Sequence, residues 1–295
     1  MTLPRRWSRP RIVPRTGAGE AFAANVRSAV VQIDGNLHGS IHGRDPEYLH
    51  QLRVGLRRLR ATLRAFRPLV KKQKASEFDG QLRDLLHALG VARDWDVFSR
   101  SQLNAGLLRA ARERSARERR AVRVLLRSTP LRGTLHEVLA WANSGPWRSA
   151  ADPDAPVPVF ARRALRRLRD SLREDAAGID WGDAEPRHRV RIKVKRLRYG
   201  CECFAAAYTP EATRRFLKRL RALQRILGEL NDISVQRRLL QELARDARLR
   251  RGAATSKARL TPRERALIDE LARAWVEFES LKPFWRRAAI ARARG

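Results

Sequence analysis

Residues 187–199 read RHRVRIKVKRLRY, and whether this stretch is a strand or a helix decides the fold class. Seven of its thirteen positions are Arg or Lys, and none is acidic. From Arg189 to Lys195 basic and apolar residues alternate one for one, the period of a strand that is wet on one face. A test lies 138 residues upstream. Setting HQLRVGLRRLRATLRAF (50–66) over HRVRIKVKRLRYGCECF (188–204) pairs His50 with His188, Arg53 with Arg191, Arg58 with Arg196, Leu59 with Leu197, Arg60 with Arg198 and Phe66 with Phe204. The upstream copy has no strict alternation. It carries Leu52, Leu56, Leu59 and Leu63 at spacings of four, three and four, the stripe of an amphipathic helix. Copies of one unit share a conformation, so 187–204 is expected to be helical, burying Val190, Val194, Leu197 and Phe204.

The same offset, without a gap, places LRDLLHALGVARDWDV (82–97) over LRALQRILGELNDISV (220–235). Two blocks in one register make the chain a duplicated helical unit. Elsewhere apolar residues recur three and four apart, as in Phe22, Val26, Ala29, Val30, Ile33 and Leu37, or Ala164, Leu165, Leu168 and Leu172. NSGPWRSAADPDAPVP (143–158) interrupts that pattern and reads as a linker. The expected class is all-α, a single domain over 19–290 with half one at 19–147 and half two at 157–290. Residues 1–18 are expected to form a disordered basic arm. Gly90 and Gly228 are expected to break helices, with Asp94 and Asp232 starting the next ones as caps or pairing with a helix-borne Arg. A basic loop is expected near Leu249–Lys257, before a last helix from Pro262 capped by Thr261.

The totals bear on partners. Among 295 residues, Lys and Arg number 64 against 31 Asp and Glu, a net charge of +33. Like charges on one compact body repel unless a polyanion offsets them. Nucleic acid, an anionic membrane surface and an inorganic polyanion are the candidate classes. Cys201 and Cys203 are the only cysteines. Two positions apart on a helix they point about 200° apart, so they neither bridge nor chelate one metal. With no signal-like apolar stretch and no run near the ~18 apolar residues of a membrane span, a reduced cytoplasmic protein is expected.

The basic residues lie in stripes. His50, Arg53, Arg57, Arg60 and Arg64 recur at three and four, filling a band about 80° wide and roughly 21 Å long beside the leucines. His188, Arg191, Lys195 and Arg198 repeat the band until Glu202 falls at the place of Arg64. Nine Lys or Arg and no acid occur between His50 and Lys74. A solvated face normally mixes signs to relieve repulsion, so a polyanion site outweighs surface decoration. Lys218, Arg221 and Arg225 continue the basic spacing, Arg221 matching Arg83 in the first copy; Lys218 falls opposite Gly80.

Arg forks and Lys or His point charges suit phosphate oxygens. Binders of single-stranded nucleic acid interleave aromatics for base stacking. Here aromatics are 6% of the chain, and Tyr199 and Phe66 lie off the basic band. A phosphate chain without bases fits better, with a nucleic-acid-binding protein as the first alternative. Phosphoryl chemistry needs metal-holding carboxylates and a positioned base. The Asp94/Asp96 pair is not repeated, since Ser234 replaces the second acid. The histidines lack acidic or thiolate companions for a metal. No enzyme activity, cofactor or metal is therefore expected; a polyphosphate-processing enzyme with a histidine intermediate is the second alternative.

The paired HxxR…RRLR and HxxR…KRLRY blocks, with LGVARD and LGELND after them, resemble the CHAD family (conserved histidine α-helical domain) from about Glu20 to Pro283. The resemblance implies two four-helix bundles related by approximate two-fold symmetry around a basic central channel that binds inorganic polyphosphate. It also implies occurrence with polyphosphate granules. His50, Arg53, Arg57, Arg60, His188, Arg191, Lys195 and Arg198 would line that channel. Some relatives carry a fused triphosphatase-type domain whose ExExK motif is absent here, so its catalysis does not transfer.

Overall fold

A computed structural model describes residues 3–286, except 146, 149 and 151. Among them ten α-helices and two short 3-10 turns occur, with no strand beyond a single bridge between Gly17 and Pro156. Half one comprises α1 (Ala18–His42), α2 (Glu47–Ala65), α3 (Lys72–Phe98), α4 (Ala105–Ser128) and α5 (Leu131–Asn143). Half two comprises α6 (Val157–Ala176), α7 (Ala184–Phe204), α8 (Pro210–Leu243), α9 (Arg250–Ala258) and α10 (Leu260–Glu279). The opening stretch lies inside α7, whose N-terminus is capped by Asp183 accepting from the Glu185 N–H. Val190, Val194, Leu197 and Phe204 are all fully buried, as are Leu52, Leu56 and Leu59 of α2. Burial of one face, not the local alternation, decided the conformation.

The duplication offset recurs in the helix boundaries. Shifted by 138 residues, α2 starts within a residue of α7, and α3 starts where α8 does. In half one Thr129–Pro130 separates α4 from α5; Pro130 cannot continue the helix. In half two the corresponding stretch breaks earlier, at Arg259 between α9 and α10.

Of two apolar cores among the described residues, the smaller joins Trp95, Phe98 and Leu107 to Leu239, Leu240 and Ala253, and the larger runs through both halves. At its centre Phe66 stacks on Phe160 at 5.4 Å between ring centroids and meets Phe204 at 4.9 Å and Phe22 at 5.6 Å. Phe22 and Phe160 stand 138 positions apart, as do Phe66 and Phe204, so each half gives two rings to the joint. Asn25 donates across it to the Cys203 carbonyl. Both cysteines are buried and free.

Four expectations need correction. Gly90 and Gly228 break nothing: α3 and α8 run through them, and Asp94 and Asp232 sit mid-helix. The expected loop at Leu249–Lys257 is largely α9, which packs on Asn104 and Leu107 of half one through Gly252. The last helix begins at Leu260 and is not capped by Thr261. The N-terminal arm has no regular structure, yet it is not free. Asn36, fully buried in α1, accepts from the Arg5 N–H at 3.0 Å and donates to the Arg5 carbonyl at 2.8 Å. Ile12 is buried in the core, and Val157 N–H bonds the Thr16 carbonyl. A buried amide whose Oδ1 has its partner in the arm, while its Nδ2 also donates to the Gln32 carbonyl, together with an apolar anchor, holds the arm. Residues 287–290 of the expected domain, and parts of the expected linker, lie outside the described residues.

Candidate functional site

α2 packs against α7 at the joint between halves, α3 against α2, and α8 against both α7 and α3. The basic bands of α2 and α7 therefore approach one another where these four helices meet. Arg53 is 8% exposed and donates to the carbonyls of Leu89 (2.5 Å) and Gly90 (3.3 Å) on α3. Those bonds aim the guanidinium but leave its charge uncompensated. Arg57, Arg191 and Lys195 have neither a hydrogen bond nor an ion pair to any described residue. Arg191 also keeps a buried Nε without an acceptor, and so does Arg53.

The electrostatics place these groups in one another's field. Burial, followed by repulsion from Arg191 and Arg57, pushes the Lys195 amine down to about 6. Burial and Arg57 push Arg53 down to about 9, partly offset by Asp94. Arg191 is lowered by burial and by Arg57, against the pull of Asp232 and Asp94. The arrangement follows the duplication: Arg53 with Lys195 mirrors Arg57 with Arg191 under the 138-residue shift. Asp94 and Asp232 are the acids that act on Arg53, Arg191 and Lys195, and Asp94 is already paired to Arg238 at 3.0 Å. Burial raises Asp94, with Arg238 and Arg53 opposing. Three mutually repelling guanidiniums beside the Lys195 amine, with so little compensation, leave a positive potential that a multivalent anion would offset and that would return the proton to Lys195.

His50 and His188 are the first residues of their bands. Burial lowers His50, with Glu47 opposing and Arg93, Arg57 and Arg53 adding repulsion; burial and Arg191 lower His188. His188 and Arg191 line a cleft of about 270 Å³ between α7 and α8. No group of three or more potential metal ligands occurs among the described residues.

The far ends of the bands are occupied. Arg60 and Arg64 both pair with Asp79 of α3, at 2.9 and 2.8 Å. Arg198 pairs with the buried Glu202, which also holds Arg58 across the joint at 2.7 Å. Arg83 pairs with Asp84, and Arg225 with Glu229 and with Glu270 of α10. Lys218 and Arg221 are exposed on α8. These positions are not part of the uncompensated cluster. Arg93 of α3 was missed, although it adds positive potential at His50; its partner under the shift is Asn231, so the repeat does not flag it. Arg196, outside the band, faces Arg64 and Arg60 as like charges.

Known proteins bear on this geometry. The CHAD domain from the plant Ricinus communis, a crystal structure, superposes with a TM-score of 0.82 at 29% identity, covering 96% of this chain and 98% of that one. PptA from Streptomyces chartreusis shares the fold at a TM-score of 0.58 and 19% identity, over 92% of this chain and all of that one. Uncharacterized protein MT2285 of Mycobacterium tuberculosis is 26% identical over 215 residues, 66% of this chain. The match spans only 40% of that relative's length. The CHAD domain model matches residues 24–241, well over half of the sequence and both basic bands included, and this chain belongs to the CHAD domain family.

Proposed function

We propose that this protein binds inorganic polyphosphate at the joint between its halves, and does so without turning it over. The observation that carries this reading is the uncompensated quartet Arg53, Arg57, Arg191 and Lys195. A phosphoanhydride chain offers closely spaced charge and no base to stack, which matches a cluster rich in forks and poor in rings. Tyr199 supports polyphosphate over nucleic acid: it lies under the Arg198 guanidinium at 4.2 Å and is itself buried, so it offers no stacking platform for a base. Asp94, one of the two acids near the quartet, is engaged by Arg238, which supports binding over metal-assisted turnover. Association with polyphosphate granules inside the cytoplasm follows from the same reading. No helix among the described residues is long and apolar enough to cross a membrane.

The test is binding of long-chain polyphosphate and of RNA at matched phosphate concentration. Tighter binding of polyphosphate is expected, and easy displacement by RNA would favour the nucleic-acid alternative. The variant R53E/R57E/R191E/K195E, its fold checked by circular dichroism, is expected to lose at least about a hundredfold in affinity. Unchanged affinity would overturn the assignment. Orthophosphate released with Mg²⁺, and lost in His50→Ala or His188→Ala, would instead establish an enzyme.

A further inference from the structure

We infer that the N-terminal arm and α1 enclose a second site, for a short phosphate-chain ligand, distinct from the Arg53–Lys195 cluster. The arm runs beside α1, and the two enclose an open cleft of about 550 Å³. Arg5, Arg6, Arg9 and Arg11 from the arm and Arg27 from α1 line it, with Glu20 as the one acid. None of the five guanidiniums is ion-paired to a described residue; Arg27 reaches only the Asn143 side chain. Five cations and one anion leave four positive charges around one cavity.

The arm is positioned, which separates this cleft from a mobile basic tail. Asn36 grips both backbone atoms of Arg5, and Ser28 donates to the Ser8 carbonyl. The Trp7 ring lies against the Arg58 guanidinium at 3.9 Å. Gly35 leaves room for the Arg5 stem, since a Cβ there would meet Arg5 Cδ at 2.6 Å. Anchors at Arg5, Trp7, Ser8 and Ile12 fix a stretch on which arginines recur every one to three residues. Such spacing suits a ligand with a charge on each successive unit. The cleft shares no lining residue with the Arg53–Lys195 cluster: every side chain around it comes from the arm or from α1. This inference shares its ligand chemistry with the proposed function but does not rest on it.

Titration calorimetry of the full chain with tripolyphosphate tests it, using Arg6→Ala, Arg9→Ala and Arg11→Ala combined. Those side chains are exposed and hold no ion pair to a described residue, so an unchanged melting temperature is expected to accompany the loss. The triple variant is expected to lose one equivalent of bound tripolyphosphate while keeping the rest. In the R53E/R57E/R191E/K195E background one equivalent is expected to survive and to vanish with the arm changes. An unaltered count in the arm variant would overturn the inference, as would sulfate displacing tripolyphosphate from the arm cleft at equal concentration. If wild type binds a single equivalent, removed by the arm changes alone, the second site stands and the joint site falls.

Discussion

Lys195 is the residue on which the site's energetics turn. Its amine titrates near 6 instead of 10.5 because it is buried among Arg191, Arg57 and Arg53. Between those two values the unfolded chain holds a proton that the native chain lacks. Native stability therefore climbs as pH rises through that window, and the penalty is at full size below about 6. A bound polyanion reverses the imbalance by favouring the ammonium. Polyphosphate binding at pH 7.5 is thus expected to take up protons, with Lys195→Met reducing the uptake by about one. Calorimetry in buffers of different ionisation enthalpy measures this, and equal uptake in both proteins would refute it. His50 and His188, also lowered, contribute in the same direction, so affinity is expected to rise as pH falls from 8 to 6.

Helices decide where those charges can go. On α3 and α8, Gly90 and Gly228 face open space, with no heavy atom within 4 Å of where a Cβ would stand. Each lies one turn before the acid that faces the cluster, Asp94 or Asp232. A mid-helix glycine costs about 1 kcal/mol against alanine, which these helices bear at both related positions. Gly90→Ala with Gly228→Ala is expected to raise the urea midpoint and at the same time weaken polyphosphate binding, because methyl groups narrow the groove. Stability and affinity moving together would contradict this. Between α2 and α7 Glu202 has a different duty. It is 5% exposed and bonds both Arg58 and Arg198. Glu202→Gln leaves two largely buried cations without a counter-charge, with an expected loss of about 2–3 kcal/mol in chemical unfolding.

For the molecule as a whole, the ring quartet Phe22, Phe66, Phe160 and Phe204 ties the halves into one core. Phe66→Ala is expected to cost about 3–5 kcal/mol and to destabilise both halves together, in a single unfolding transition. Separate transitions would show that the joint does not couple them. Because each neutralised phosphate releases a counterion, log affinity is expected to fall against log salt with a slope of about −3 if four phosphates are held. A flat salt response would exclude an electrostatic site. The net charge of +33 keeps the unliganded chain under self-repulsion, so ligand binding is also expected to raise its melting temperature.

Periodicity and repetition made the all-α class, the α2 and α7 faces and the basic bands legible in the amino-acid order, since a helix face depends on neighbours three and four residues away and the 138-residue repeat shows the same face twice. Local pattern misplaced Gly90 and Gly228, because a glycine's tolerance inside a helix depends on what the opposite helix leaves open. Nor could it separate Arg57 and Lys195 from Arg60, Arg64 and Arg198. Each stands in the band of its own helix, and only the packing of α3 brings Asp79 to Arg60 while sparing Arg57. The order of residues determined which side chains share a face. Tertiary structure decided which charges keep a partner, since ion pairs form across distances that no local pattern encodes.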